Sequence, residues 1–373
     1  LTQQTIKAIG KKIMASSRGS LGSNIIIFFL LLFATTGSQI FCEATIGVGG
    51  VPAVYMYGDS VLDTGNNDYI VTLFKSNFPP YGKNFPGRKP TGRFSDGKLI
   101  SDFIVQSLGI KETLPAYLDP DLDAEDLITG VNFAFGGCGY DPLSAKTFAV
   151  PSIEAQLNFF KQYKEKLKTL VGEQKSNDIV ERSLHVISAG NDDVGLTYFL
   201  TGKQLDLPSY AAFLVTQATA NLRQLYKLGA RKIAVFSTTV TGCVPFSRTF
   251  FGGKRRQCSD VSNELAMMFN DKLSEAVEAL NDDVRLPNLN IVFVDVYRPL
   301  LKIIRRPENY GFDIATEGCC GTGAFEFAIL CNPLTPFTCA NTSKYLYFDG
   351  AHPTEKAYKI VFSEIWNSII ELL

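Results

Sequence analysis

The chain has 373 residues, 46% of them hydrophobic, with 36 basic against 37 acidic side chains. A net charge of −1 supplies no overall field for nucleic acid or an anionic membrane surface, and Lys254-Arg255-Arg256 is the one local exception. With only two histidines, His185 and His352, histidine chemistry is confined to two positions and a multi-histidine metal site is argued against.

Residues 25–34 form an uncharged apolar run preceded by Lys7, Lys11, Lys12 and Arg18. The run is about half as long as a bilayer span requires, and with its basic flank it reads as a secretory signal peptide. Small residues at Cys42 and Ala44 place cleavage after Ala44, with the Thr36-Gly37-Ser38 region as the alternative. Residues 1–13, ahead of Met14, read as upstream sequence. The expected division is therefore a leader over 1–44 and one domain over 45–373, exported to the extracellular space and not inserted in a membrane after cleavage. Loss of Cys42 leaves an odd number of cysteines in an oxidising compartment. Asn341-Thr342-Ser343 is a glycosylation sequon that suits a surface loop there.

Five apolar runs follow: Ala53 to Tyr57, Val131 to Phe135, Leu184 to Ser188, Lys232 to Ser237 and Ile291 to Val296. They are rich in Val, Ile and Phe without strict alternation, as strands covered on both faces of a parallel sheet are. Between them, Ser152 to Leu170 brings Ile153, Leu157, Phe160, Leu167 and Leu170 near one helical face. Ser209 to Leu228 and Ser259 to Leu280 repeat that period, each opening on a serine able to cap, and a last helix is expected from Thr354 to Leu372. Strands alternating with helices imply a doubly wound α/β domain, interrupted by the insertions Phe74 to Thr91 and Pro307 to Thr342. In such a fold, ligands bind beyond the carboxyl ends of the strands.

The first run ends in Gly58-Asp59-Ser60, where a glycine bend can present a serine hydroxyl at the sheet edge. Gly136-Gly137-Cys138-Gly139 and Gly190-Asn191-Asp192-Asp193 follow the second and third runs. Near the end, Asp349 and His352 are spaced so that one turn brings both side chains to a common site. A serine hydroxyl needs a base, imidazole titrates in the right range, and a carboxylate fixes its tautomer; Ser60, His352 and Asp349 supply the three parts. His185 lies mid-strand and reads as structural. The acidic stretch Asp119 to Asp126 lacks the glycine and glutamate of a calcium loop and reads as a solvated loop and helix start.

In order along the chain, Tyr57-Gly58-Asp59-Ser60, Asp63-Thr64-Gly65-Asn66-Asn67, Gly92-Arg93-Phe94-Ser95-Asp96-Gly97, Asn132 to Gly137, Cys319-Cys320-Gly321-Thr322-Gly323 and Asp349 to Glu355 resemble the plant GDSL esterase/lipase family, within the wider SGNH hydrolases. The extracellular-lipase subgroup looks most similar, and the likeness runs from about Ala53 to the C-terminus. The resemblance implies a flavodoxin-like three-layer α/β/α sandwich around a five-stranded parallel sheet, no metal or other cofactor, and hydrolysis of carboxylic esters of small molecules, lipids or polymers. It assigns Ser60 as nucleophile, His352 as base and then acid, and Asp349 as its orienting carboxylate. The oxyanion donors become the N–H groups of Ser60 and Gly137, with a third from an asparagine side chain.

This chain departs from the family at that third donor, because Asp192 stands where the asparagine belongs. An ionised carboxylate accepts hydrogen bonds and cannot donate them. Three outcomes are open: Asp192 is protonated in a shielded pocket, Asn191 substitutes through a shifted turn, or two backbone donors suffice. The substitution keeps two alternatives alive beside a hydrolase: a catalytically impaired secreted wall or binding protein, and an acyltransferase. The apolar insertion Phe74, Phe78, Pro79, Pro80 and Tyr81 could line an acyl groove. Cys243 is expected to pair with Cys258. Cys319, Cys320, Cys331 and Cys339 read as disulfides rather than a zinc cluster, paired 319 with 331 and 320 with 339, which leaves Cys138 as an inert thiol.

Overall fold

The apolar runs assemble side by side in the computed structural model, which describes residues 50–373 apart from 201, 203, 323–329, 333, 335 and 336. The leader and its cleavage position lie outside the described residues. Strands β1 (Val54–Gly58), β2 (Leu184–Ser188), β3 (Lys232–Phe236) and β4 (Asn290–Val294) pair in that order, all parallel. Gly58 stands opposite Ser188, and Phe236 opposite Val294, so the strands end nearly level along one edge.

The run Val131 to Phe135 lies along the open side of β1 as an irregular fifth line of the sheet. The N–H groups of Phe133 and Phe135 donate to the carbonyls of Met56 at 2.8 Å and Gly58 at 3.0 Å. Its other edge is shared with a loop, through Asn132 N–H to Pro115 O at 2.9 Å and Tyr117 N–H to Asn132 O at 2.8 Å. The buried side chain of Asn132 turns back onto Leu62 O and Ala134 N–H, so local side-chain bonding competes with a regular ladder here.

Helices cover both faces. α1 (Ile100–Ser107), α2 (Ala124–Thr129), α3 (Pro142–Phe148), α4 (Ile153–Val171) and α5 (Glu173–Arg182) precede β2. α6 (Leu207–Lys227) leads to β3, while α7 (Pro245–Phe251) and α8 (Asp260–Asn281) lead to β4. α9 (Tyr297–Arg305), β5 (Ile314–Gly318), β6 (Tyr345–Tyr347) and α10 (Glu355–Ile370) complete the chain. α4, α6 and α8 pack together in one layer, and α1, α9 and α10 in the other. Ser152, Ser259 and Thr354 cap α4, α8 and α10 as their positions promise. α6 begins earlier than expected: Asp206, not Ser209, is its cap and accepts from Ser209 N–H. Leu170 lies exposed at the end of α4, while Gln156 is buried on its inner face.

His185 is fully buried in β2, with Nε2 3.1 Å from Val180 O and Nδ1 3.3 Å from the Tyr57 hydroxyl. Burial pushes it down to about 4, so it is a neutral core residue. Asp123 caps α2, which makes the acidic stretch a helix start. The cysteines join as Cys243–Cys258, Cys319–Cys339 and Cys320–Cys331. The expected 319–331 and 320–339 pairing is therefore corrected. Cys319 and Cys320 directly follow β5, and the N–H of Cys339 bonds the carbonyl of Cys319 at 2.7 Å, which brings its thiol to that neighbour. Among the described residues no helix is long and apolar enough to cross a membrane, and no cluster of His, Cys, Asp and Glu could hold a metal ion.

Candidate active site

Ser60 stands just past the end of β1. Gly58 has φ of 124°, and a Cβ there would lie 1.7 Å from Ser188 O, so only glycine lets the chain leave the sheet at this point. Gln156 of α4 brackets that glycine, its amide oxygen accepting from Gly58 N–H at 2.8 Å and its amide nitrogen donating to Gly58 O at 2.9 Å. Asp59 closes the turn by accepting from Val61 N–H at 3.0 Å. Ser60 is thereby fixed in a tight bend, 6% exposed, and its N–H has no partner among the described residues.

His352 arrives from the far end of the sequence. Asp349 Oδ1 accepts from the N–H groups of Ala351 at 2.8 Å and His352 at 2.7 Å, which coils the loop after β6. His352 Nδ1 lies 2.9 and 2.8 Å from the two Asp349 oxygens, and Nε2 lies 2.8 Å from Ser60 Oγ. A proton on Nδ1 facing the carboxylate leaves Nε2 free to accept from the serine. Burial would raise the fully buried Asp349, but the His352 charge and the bonds from His352, Tyr81 and Ala351 outweigh it and hold the carboxyl below its ordinary range. The Arg93 to Gly97 string holds this loop: Ser95 Oγ donates to Pro353 O at 2.9 Å, Asp96 accepts from Glu355 N–H at 2.7 Å, and the Phe94 ring lies 4.9 Å from the imidazole.

The donors for a developing oxyanion have a separate origin. Asp63 Oδ2 accepts from Gly136 N–H at 3.0 Å, and Asn67 Nδ2 donates to Gly136 O at 2.9 Å. Both polar groups of Gly136 are thus occupied, which fixes the 136–137 peptide with its carbonyl on Asn67, while the Gly137 N–H, trans to that carbonyl, has no partner among the described residues. Gly137 has φ of 88°, and a Cβ there would lie 2.7 Å from Phe148. Asp193 ties down the other side of this loop by accepting from Tyr140 N–H at 2.7 Å and Ser144 Oγ at 2.5 Å.

Asp192 lines the same cavity as Ser60, and its Oδ2 is buried without a hydrogen-bond partner among the described residues. Burial first, and then the charges of Asp59 and Asp193, push its carboxyl well above the ordinary range. Protonated, it becomes a donor. The alternative donor is already committed: Asn191 Nδ2 donates to Asp59 Oδ2 at 2.8 Å, while its Oδ1 accepts from Thr239 N–H at 2.8 Å and Thr239 Oγ1 at 3.0 Å. Cys138 is buried nearby, and burial pushes its thiol far up, so it is an unreactive core residue.

The cavity holds about 380 Å³ and is walled mainly by Leu73, Phe74, Phe148, Leu196, Phe246 and Leu300. The hydroxyls of Thr241, Tyr347 and Tyr358 also border it, buried and without partners among the described residues. Of the expected acyl-groove residues only Phe74 is among its walls. Phe78 and Tyr81 pack instead against Phe348 and the Cys319, Cys320 and Cys331 side chains.

A comparison with protein families matches residues 54–365 to the GDSL-like lipase/acylhydrolase family. The chain belongs to this family. Among similar proteins is an Arabidopsis thaliana GDSL esterase/lipase, 48% identical over 87% of both chains. A second from the same plant is 46% identical over 90% of this chain and 93% of its own length. The Arabidopsis thaliana GDSL esterase/lipase EXL3 is 44% identical over 86% of this chain and 88% of its own. Membership makes this GDSL chain an ester hydrolase of the serine class.

The bonds of Gln156 to Gly58 and of Tyr81 to Asp349 are not foreseen from the sequence, where Tyr81 figures only as an acyl-groove wall. Gln156 carries a detectable signal, a polar residue on the apolar stripe of a helix; Tyr81 carries none, because its partner is remote in the chain.

Proposed function

We propose that this GDSL protein is a secreted carboxylic ester hydrolase that works through an acyl-enzyme on Ser60, within one hydrolase domain spanning residues 45–373. The observation that carries the proposal is the continuous line from Ser60 Oγ through His352 to Asp349, with both links at hydrogen-bond distance. His352 Nε2 takes the hydroxyl proton as Ser60 Oγ bonds to the ester carbonyl carbon, and Asp349 stabilises the imidazolium. The negative charge that forms on the carbonyl oxygen is met by the Ser60 N–H, the Gly137 N–H and the protonated Asp192 carboxyl. Such donors act on charge that exists only in the tetrahedral intermediate, and each contributes about 3 kcal/mol. His352 then protonates the departing alcohol, and a water activated by the same nitrogen releases the acid. Protons and charge are handled throughout by side chains and backbone, so the scheme calls for no cofactor.

The apolar cavity beside Ser60 supports an aliphatic acyl group as the part of the substrate held there, since burial of each methylene contributes about 0.8 kcal/mol. The test is acid release from esters of graded acyl length, with an added alcohol acceptor to detect transfer. Longer aliphatic chains are expected to raise kcat/KM, free acid to be the product, and Phe74→Ala to flatten the length preference. Activity confined to the shortest acyl groups would overturn the cavity assignment, and ester product from the alcohol would make the protein a transferase.

A further inference from the structure

The Asp349 carboxylate is served from outside the triad. Tyr81 Oη donates to Asp349 Oδ2 at 2.6 Å, one of the two oxygens that face His352 Nδ1. Oδ1 already accepts two backbone N–H groups, so the phenol completes the carboxylate's set of donors. Tyr81 is 3% exposed, and its ring lies 5.3 Å from Phe348, 5.5 Å from Phe78 and 6.3 Å from Phe94. It shares a cluster with Cys319, Cys320 and Cys331 that is separate from the main core. A phenol in this place divides the carboxylate's negative charge between two donors, and so sets how tightly the imidazole opposite holds its proton.

We infer that Tyr81 is a positioning residue for the hydrolysis, fixing Asp349 and tempering its pull on the His352 proton from a seat built by the disulfide-linked insertion. The inference rests on the Ser60, His352 and Asp349 reading above. Burial first, and then the Asp349 charge, keep the phenol protonated far beyond its ordinary range, so Tyr81 serves as a donor at every working pH. Among the described residues, ionisable groups near this pair include Asp59 behind Ser60, Asp96 and Glu355 beside the loop that carries His352, Tyr358 of α10, Tyr345 at the cluster's edge and Lys83, whose ammonium is held by Cys339 O at 3.1 Å. None of them replaces a donor on Asp349 Oδ2.

The sign of the effect follows from the chemistry. Without the phenol, the carboxylate presents more charge to the imidazole, which then keeps its proton to higher pH and works as a base over a narrower range. In Tyr81→Phe the acid limb of kcat/KM is expected to move up by about half a unit to one unit, with kcat down roughly tenfold and KM nearly unchanged. Placing 3,5-difluorotyrosine at position 81 makes a stronger donor and is expected to move the limb the other way. Circular dichroism and Tm accompany each variant. Limbs that coincide for all three proteins would reduce Tyr81 to packing and overturn the inference, and should Tyr81→Phe fold poorly, the fluorinated protein decides alone. Ser60→Ala runs in the same assay: retained turnover there would defeat the triad reading itself, an outcome distinct from unshifted limbs in an otherwise Ser60-dependent enzyme.

Discussion

Ser60 and His352 meet at 2.8 Å, but the two sides of that contact are anchored differently. On the serine side, the anchors are buried polar side chains bonded to backbone: Gln156 on Gly58, Asp63 and Asn67 on Gly136, and the parallel sheet beneath them. On the histidine side, the loop after β6 leans on a cystine-linked segment. Cys319 and Cys320 N–H groups bond the carbonyls of Tyr347 and Phe348 at 3.0 and 2.6 Å, and two disulfides tie that segment to Cys339 and Cys331. A parallel sheet can hold a residue at its edge by hydrogen bonds alone, whereas an insertion with a small core of its own needs covalent cross-links to do the same work. The nucleophile and its oxyanion donors should therefore tolerate reducing conditions that displace the base.

Ser60→Ala should cost on the order of 10⁴-fold or more in kcat/KM with no change in Tm, read by steady-state kinetics beside calorimetry. Replacing Cys320 and Cys331 together by serine should lower stability by about 2–5 kcal/mol in denaturant titrations and cut activity well beyond the folded fraction lost. A proportional loss would show that the insertion does not carry the base. Asp63→Ala strikes the other side: it strips Gly136 N–H of its acceptor and should reduce kcat by about 10- to 100-fold, with KM little changed, because a misdirected Gly137 donor is felt only in the transition state.

The smallest effect concerns Asp192 and depends on pH. A carboxyl held well above its ordinary range is neutral where common carboxylates are charged, and it ionises as pH rises through its raised value, losing its donor O–H. Activity should then fall on the alkaline side, and Asp192→Asn, a donor at any pH, should remove that fall while matching the parent in acid. The same substitution should raise Tm at neutral and alkaline pH, since keeping a buried group protonated costs stability once the unfolded chain would have released its proton. A parent and variant with identical pH profiles would return Asp192 to the role of a bystander.

Much of this arrangement is legible in the sequence, for identifiable reasons. The apolar runs mark the sheet because strands covered on both faces have no polar alternation, and the strand ends locate Ser60, Gly137 and Asp192 because ligands gather there. The Asp349 and His352 spacing encodes its own turn, closed by Asp349 on two N–H groups. What stayed hidden depends on contacts distant in the chain. The pairing of four cysteines goes with the Cys339 N–H bonding the carbonyl of Cys319, a contact that no spacing reveals. Asn132 looks like a strand residue, yet its side chain diverts the ladder. Tyr81 lies in a Pro-rich stretch that reads as an apolar wall, and its bond crosses 268 positions to Asp349.

The most direct test of the central claim is covalent. A fluorophosphonate probe on the folded protein, followed by intact mass and peptide mapping, should give one adduct, on Ser60, that disappears in Ser60→Ala and in His352→Ala. Folded protein that takes no label, or label that persists after Ser60→Ala, would contradict the account.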